Sequence, residues 1–262
     1  MKGTREKTEL ADIVLLYGDD YIKRHRVSYH QQKVMKAIKN CRTSAMGGHM
    51  NECDQCGHKD VSYNSCRNRN CPKCGQTKQL EWADKLASSL LPIRYFHIVF
   101  TLPHELAEIV LTNQQECYNI LFKTSVESLQ QAALNPEYMG AETGCIAVLH
   151  TWGQNLQFHP HIHMIVPAGG LTVDGIEWKP ASKKFFVPVK ALSKMFRAKY
   201  LEKIIHSYEN GELQLPEQID LDELPGMLKK KHWNVHSKST FAGPRQVINY
   251  LGRYTNRVAI TN

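Results

Sequence analysis

With 262 residues, 42% of them hydrophobic, the chain has material for one large core or two smaller ones. The first residues are polar and charged, with no basic-then-apolar leader, and apolar runs such as "FHIVF" are too short to cross a bilayer; an exported or membrane-spanning chain is excluded on this reading, and the cytoplasm is the expected compartment. The formal charge of +8 is concentrated: from Leu224 to Asn262 there is no acid, against Lys229, Lys230, Lys231, Lys238, Arg245, Arg253 and Arg257, a segment suited to a polyanion such as a phosphate backbone if it is more than a solubility device.

In chain order, residues 20–39 have apolar spacing that predicts a helix. The stretch "GGHMNECDQCGHKDVSYNSCRNRNCPKCG" reads as loop, and helix resumes through "QTKQLEWADKLASSLL" until Pro92. Five of the eight cysteines fall between residues 53 and 74, which in a chain without a secretion signal favours metal over cystine.

Cys53-x2-Cys56 and Cys71-x2-Cys74, fourteen residues apart, form two knuckles whose thiolates suit one tetrahedral zinc ion. Gly57 and Gly75 follow the second cysteine of each and permit the tight turn. Cys66, His49 and His58 leave the ligand list open, either as replacements for a knuckle cysteine or as holders of a second ion. Structural zinc would fold a segment poor in apolar residues. Arg67, Arg69 and Lys73, inside the cluster, are candidate DNA contacts or simply solvated charges.

After Pro92, "YFHIVFTL" reads as a strand, followed beyond Pro103 by a helix to about residue 133. "CIAVLHTW" and "HIHMIVPA" are two further strands, and Asp174-Gly175 in "LTVDGIEW" signals a hairpin. A helix from Val189 to about Tyr208, a strand "HWNVHSKST" and a last helix opening near Pro244 complete the series. The order β-α-β-β-α-β from Tyr95 predicts an α+β chain: a helical zinc-binding domain over 1–91, then a ferredoxin-like antiparallel sheet domain over 92–262.

In "HPHIHMIV", alternation puts His161 and His163 on one face of a strand and Ile162 on the other, so two imidazoles can share a metal ion. Pro160 suggests that the strand starts after it. Two ligands hold a divalent ion weakly; His97, His150, Gln154, Gln157 and His159 are all open as the third.

In "VINYLGRYTNRVAI", Tyr250 and Tyr254 lie four apart on one helical face, with Arg253 and Arg257 repeating that spacing beside them. Val247, Leu251 and Val258 also make this an ordinary amphipathic stripe. Metal and tyrosine together favour phosphoryl transfer, because a phenol with a pKa of about 10 becomes a useful nucleophile when a cation stabilises the phosphate it attacks. Mn²⁺ or Mg²⁺ fits such a site, with Mn²⁺ the better match to imidazole.

Four stretches, "YNSCRNRNCPKC", "YFHIVFTLPHEL", "VLHTWGQNLQFHPHIHMIVPAGG" and "YLGRYTNRVAI", resemble the HUH-type rolling-circle transposases, specifically the two-tyrosine group of insertion sequence family ninety-one and its common-region relatives. The name HUH, histidine-hydrophobe-histidine, is met by His161, Ile162 and His163. The resemblance implies an HUH endonuclease fold with a terminal tyrosine-bearing helix and a catalytic Mg²⁺ or Mn²⁺ on His161 and His163. It further implies that Tyr250 and Tyr254 attack single-stranded DNA at element ends, leaving a 5′-phosphotyrosine and a free 3′-hydroxyl.

It also implies zinc on Cys53, Cys56, Cys71 and Cys74. Arg253 and Arg257 join Arg67, Arg69 and Lys73 as candidate DNA contacts. Such proteins continue well past the tyrosine helix, whereas this chain stops at Asn262, so a shortened C-terminus is expected. A replication initiator or relaxase of the HUH group, and an inactive DNA-binding remnant, are the alternatives. DNA is the expected partner in each case.

Overall fold

The computed structural model describes residues 8–153, 155, 157–182, 186–221, 223–231, 233–239, 248 and 252. Two compact units emerge, one reaching to Lys85 and the other beginning at Leu86, against a sequence expectation of 91/92. No helix among the described residues is long and apolar enough to cross a membrane.

The first unit opens with α1 (Leu10–Arg24) and α2 (Tyr29–Asn40), two helices where the sequence pattern suggested a single one over 20–39. The break lies at Ser28. Its hydroxyl accepts from the Gln31 amide at 3.3 Å while the Gln31 side chain accepts from the Ser28 amide at 2.8 Å, a reciprocal cap that starts α2 afresh. Gly18 lets the helices approach closely: a Cβ there would sit 3.2 Å from Val14 and 3.3 Å from Met35.

A hairpin follows, β1 (Gly48–Glu52) paired antiparallel with β2 (Lys59–Tyr63), inside the stretch expected to be loop. Every residue of both strands is exposed, so no apolar alternation marks them in the sequence. Next, α3 (Pro72–Ala87) starts with proline in its first turn, directly after Cys71. Among the described residues, a small buried cluster of this unit consists of Ile38, Cys41, Cys71 and Cys74 packed by Leu10, Ala11, Val14, Val34 and Cys66.

The second unit contains β3 (Tyr95–Thr101), α4 (Ala107–Thr112), α5 (Gln114–Leu134), β4 (Ile146–Trp152), β5 (Phe158–Pro167), β6 (Gly169–Leu171), β7 (Trp178–Pro180), α6 (Val189–Glu209), α7 (Leu224–Lys229) and β8 (Val235–Ser239). The helix expected after Pro103 is divided at Asn113, whose side chain donates to the carbonyls of Ile109 and Gln214. β6 and β7 form the hairpin signalled by Asp174-Gly175, with Gly175 at φ +74°. The main sheet runs β4-β5-β3-β8 with every neighbour antiparallel, the ferredoxin-like order read from the sequence.

Alternation then sorts the sheet into two faces. Phe96, Ile98 and Phe100 of β3 and Ile162, Met164 and Val166 of β5 are fully buried with Leu121 and Leu129 of α5 and Phe196 and Tyr200 of α6. Phe100 meets Phe196 edge-on at 5.1 Å. The opposite face carries His97, Val99 and Thr101 on β3 beside His161 and His163 on β5.

β5 begins at Phe158, earlier than Pro160 suggested. Pro160 is accommodated because the β4–β5 ladder slips between His150 and Trp152, and the Pro160 carbonyl still accepts from the Leu102 amide at 3.3 Å. The expected last helix near Pro244, with Tyr250, Arg253, Tyr254 and Arg257, lies outside the described residues.

Candidate metal centres in two units

In the first unit, Cys41, Cys66, Cys71 and Cys74 converge, each offering sulfur within 4.8 Å of the others. The Cys41–Cys74 and Cys66–Cys74 sulfurs are both 3.6 Å apart. A disulfide needs about 2.05 Å, whereas the edge of a tetrahedral ZnS₄ unit with bonds of about 2.3 Å is about 3.8 Å. These four side chains therefore have the donor chemistry and spacing for a structural zinc.

The backbone supports that arrangement. The Cys66 amide donates to the Cys41 sulfur at 3.5 Å. Arg42 and Arg67, each following a cluster cysteine, adopt left-handed backbone at φ 58° and 51°. Such a conformation costs a non-glycine residue about 1–2 kcal/mol, so tertiary structure holds both turns in place. Burial pushes the Cys41 and Cys66 thiols up.

Burial also pushes on Cys74, but hydrogen bonds from Cys41, Cys66 and the Arg67 amide outweigh it and draw that thiol down. Four thiolates here require a compensating cation.

Cys71 and Cys74 thus meet Cys41 and Cys66 rather than Cys53 and Cys56. The latter two are exposed at the tip of the β1–β2 hairpin. The physical reason is chain path: Cys41 ends α2, and the neighbouring Arg42 amide donates to Asn64 at the base of the hairpin, 3.1 Å away. Base and tip are separated by a five-residue strand, about 16 Å at 3.3 Å per residue.

Cys66 was open as a ligand and Cys41 was missed. Six cysteines before residue 75, against four needed for one zinc, were the available signal. Arg67 and Arg69 are exposed beside the cluster, while Lys73 is paired with Glu9 at 2.6 Å.

In the second unit, His161 and His163 lie on β5 between two partner strands. His161 faces His150 of β4 and Thr101 of β3, and His163 faces Val148 and Val99. His150, His161 and His163 each present a ring nitrogen within 4.8 Å of the others. The closest pair, His150 Nδ1 and His161 Nε2, is 3.2 Å apart, near the separation of about 3 Å for two ligands at right angles on bonds of about 2.1 Å.

The ring orientations are fixed from behind. His161 Nδ1 donates to the His159 carbonyl at 2.6 Å, which leaves Nε2 as its lone-pair nitrogen toward His150. His163 Nδ1 lies 2.8 Å from His97 Nε2, with the two rings stacked 1° from parallel. Of the open third-ligand candidates, His150 is the one whose ring nitrogen converges with those of His161 and His163; His97 backs His163, His159 and Gln157 are exposed, and Gln154 lies outside the described residues.

Burial lowers all three inner imidazoles: His161 to about 4, with His150 and His159 adding to the effect, His163 to about 3, with its histidine neighbours adding, and His97 to about 4, with His236 and Lys238 adding. At neutral pH these rings are uncharged, the form that binds a cation.

A family model described as "Transposase zinc-binding domain", of IS91 type, matches residues 13–102, and one described as "Putative transposase", of Y2 type, matches residues 144–262. A protein named "Putative transposase y4qJ" from Sinorhizobium fredii is 44% identical over 266 residues, covering 98% of this chain and 67% of the relative. The transposase for insertion sequence element IS801 from Pseudomonas savastanoi pv. phaseolicola is 29% identical over 234 residues, covering 84% of this chain and 54% of the relative. The chain therefore spans about two thirds of one curated relative and about half of the other.

Among solved structures, the conjugative relaxase TrwC in complex with mutant oriT DNA aligns with a TM-score of 0.35 and 16% identity, over 50% of this chain and 53% of that one. A metal-bound TrwC–oriT complex gives 0.35 and 12%, over 62% and 71%. That likeness is too loose to bear on function. Identity of 44% along nearly the full chain, with a zinc-binding transposase model on its first part and a transposase model on its last, establishes that the chain belongs to the IS91 family of rolling-circle transposases.

Proposed function

We propose that this chain nicks and rejoins single-stranded DNA at the ends of a mobile element, in the bacterial cytoplasm, through a 5′-phosphotyrosine intermediate. The observation that carries the proposal is the convergence of His150, His161 and His163 on one sheet face in a chain of this family. These three residues would hold a Mg²⁺ or Mn²⁺ ion, with Mn²⁺ the better match to an all-nitrogen set. Bound there, the ion supplies positive charge to the non-bridging oxygens of the scissile phosphate.

The remaining steps belong to the chain's own residues. The sheet fixes His161 and His163 two residues apart, and the His159 carbonyl and His97 ring hold their rotation. Tyr250 or Tyr254, assigned from the family resemblance, attacks phosphorus as its phenol loses a proton. One phosphoester bond forms to the tyrosine oxygen as the bond to the 3′ oxygen breaks, and the departing oxygen gains a proton. The ester count is unchanged, so a 3′-hydroxyl can reverse the step without an external energy source.

Cys41, Cys66, Cys71 and Cys74 would hold zinc and fold the first unit, leaving Arg67 and Arg69 free to meet phosphates. Arg253 and Arg257 would do so near the tyrosines. Lys73 contributes less because Glu9 neutralises it.

Incubating the protein with labelled single-stranded DNA from an element end and Mn²⁺ should give a covalent adduct that survives denaturation. A chelator should abolish it. An adduct that persists in the Tyr250→Phe, Tyr254→Phe double variant would overturn the choice of nucleophiles, and cleavage unaffected by the chelator would overturn the metal role.

A further inference from the structure

The four-thiolate cluster is complete without Cys53 and Cys56, yet the hairpin tip that carries them has the geometry of a metal knuckle. The Gly57 amide donates to the Cys53 carbonyl at 2.8 Å, as the Gly75 amide does to Cys71 at 2.8 Å in the cluster. Gly57 turns through φ +66°, open to glycine at no steric cost. The backbone of Gln55 and Cys56 draws the Cys53 thiol below its usual range, with the Cys56 side chain adding to the effect.

A third donor lies alongside. The Cys53 amide donates to the His58 carbonyl at 2.9 Å, continuing the β1–β2 ladder one step past Glu52–Lys59. Cys53 and His58 are therefore opposed across the hairpin and share a face. Both are exposed, so the imidazole is free to turn toward the thiols without disturbing a core. His49, four residues before Cys53 along β1, is about 13 Å away and out of reach.

We propose that the hairpin tip is a second metal site, separate from the four-thiolate cluster, in which Cys53, Cys56 and His58 bind a zinc-class divalent ion. Its fourth position opens to solvent and accepts water or an exogenous donor. The two sites differ in access: the cluster sulfurs of Cys41, Cys71 and Cys74 are buried, while Cys53 and Cys56 are exposed. The tip ion therefore exchanges faster and is the first taken by a chelator. This inference rests on the four-thiolate reading of Cys41, Cys66, Cys71 and Cys74.

Zinc released from the intact chain by thiol modification, followed with a chromophoric chelator, should amount to two ions per chain. The Cys53→Ser, Cys56→Ser double variant should keep one ion and its helical circular dichroism. In cobalt-substituted protein the sulfur-to-metal charge-transfer band should fall by about a third, since two of six thiolates are removed. His58→Ala should weaken the second ion at least about tenfold, and His58→Cys should restore it.

One ion per chain in both wild type and the double variant would overturn the second site. A single ion lost equally from the double variant and from Cys71→Ser would do the same, and would restore the knuckle-to-knuckle ligand set. If Cys66→Ser retains every ion, the four-thiolate reading itself fails, an outcome distinguishable from loss at the tip alone.

Discussion

The cysteine cluster and the histidine cluster are both sets of mostly buried donors, but they stand in opposite relation to the fold around them. Among the described residues, the first unit's buried cluster is Ile38 with Cys41, Cys71 and Cys74, so the cysteines are most of that cluster. In the second unit, the ligands line one face of a sheet whose other face is packed with phenylalanine, isoleucine and methionine against α5 and α6. On the proposed reading, metal in the first place would substitute for apolar burial; in the second the fold is already secured, and metal would be available for chemistry.

The largest effect that sharpens this contrast is expected from Cys71→Ser. Structural zinc in small domains is worth about 10–16 kcal/mol of apparent binding energy, so losing a ligand should unfold the first unit. Hydrogen exchange should show protection lost over α1 to α3 while β3 to β8 stay protected. Retained protection in α1 and α2 would erase the distinction between the units.

His161→Ala and His163→Ala come next and should do the reverse. Adduct formation should drop by about 10²- to 10⁴-fold, the scale of several kcal/mol of charge stabilisation, while exchange protection in the sheet core persists. Unfolding of the second unit in these variants would assign the histidines to stability instead.

A smaller effect is expected behind the ligands. His97→Ala should weaken Mn²⁺ binding by about 10- to 100-fold, the usual cost of removing a partner that orients a ligand. His97→Asn should recover part of it by keeping a hydrogen-bonding group toward His163. Equal affinity in wild type and His97→Ala would remove His97 from the site.

The smallest is a pH signature. His161 and His163 titrate at about 4 and 3 in the folded chain and near 6.5 when unfolded. Between those values the unfolded chain takes up protons that the folded chain refuses. Stability of the metal-free second unit is therefore full above pH of about 6.5 and falls as pH drops toward about 4, by up to about 1.4 kcal/mol per pH unit for each ring involved. Melting temperatures across that range should show the slope, and His163→Gln should flatten it; a slope of opposite sign would contradict the burial of these rings.

Much of the second unit was legible because its strands face a core: "YFHIVFTL" and "HIHMIVPA" alternate, and their order gave the ferredoxin-like sheet. Where residues face water the pattern vanishes, as in the hairpin of β1 and β2. The same limit hid the convergence of Cys41 and Cys66 with Cys71 and Cys74. Sequence spacing made the two knuckles look like one site, but which sulfurs meet depends on how α2 returns past Asn64, a tertiary fact. His150 was one of several candidates in the sequence, and only the β4–β5 register places it opposite His161.

Because β5 is hydrogen-bonded on both flanks, the pleat works as a ruler that holds His161 and His163 at fixed spacing whatever occupies the strands beside them. On the proposed metal reading, cation preference could then be retuned from β4 alone: a carboxylate exchanged for the imidazole at position 150 would harden the donor set toward Mg²⁺ without respacing His161 and His163.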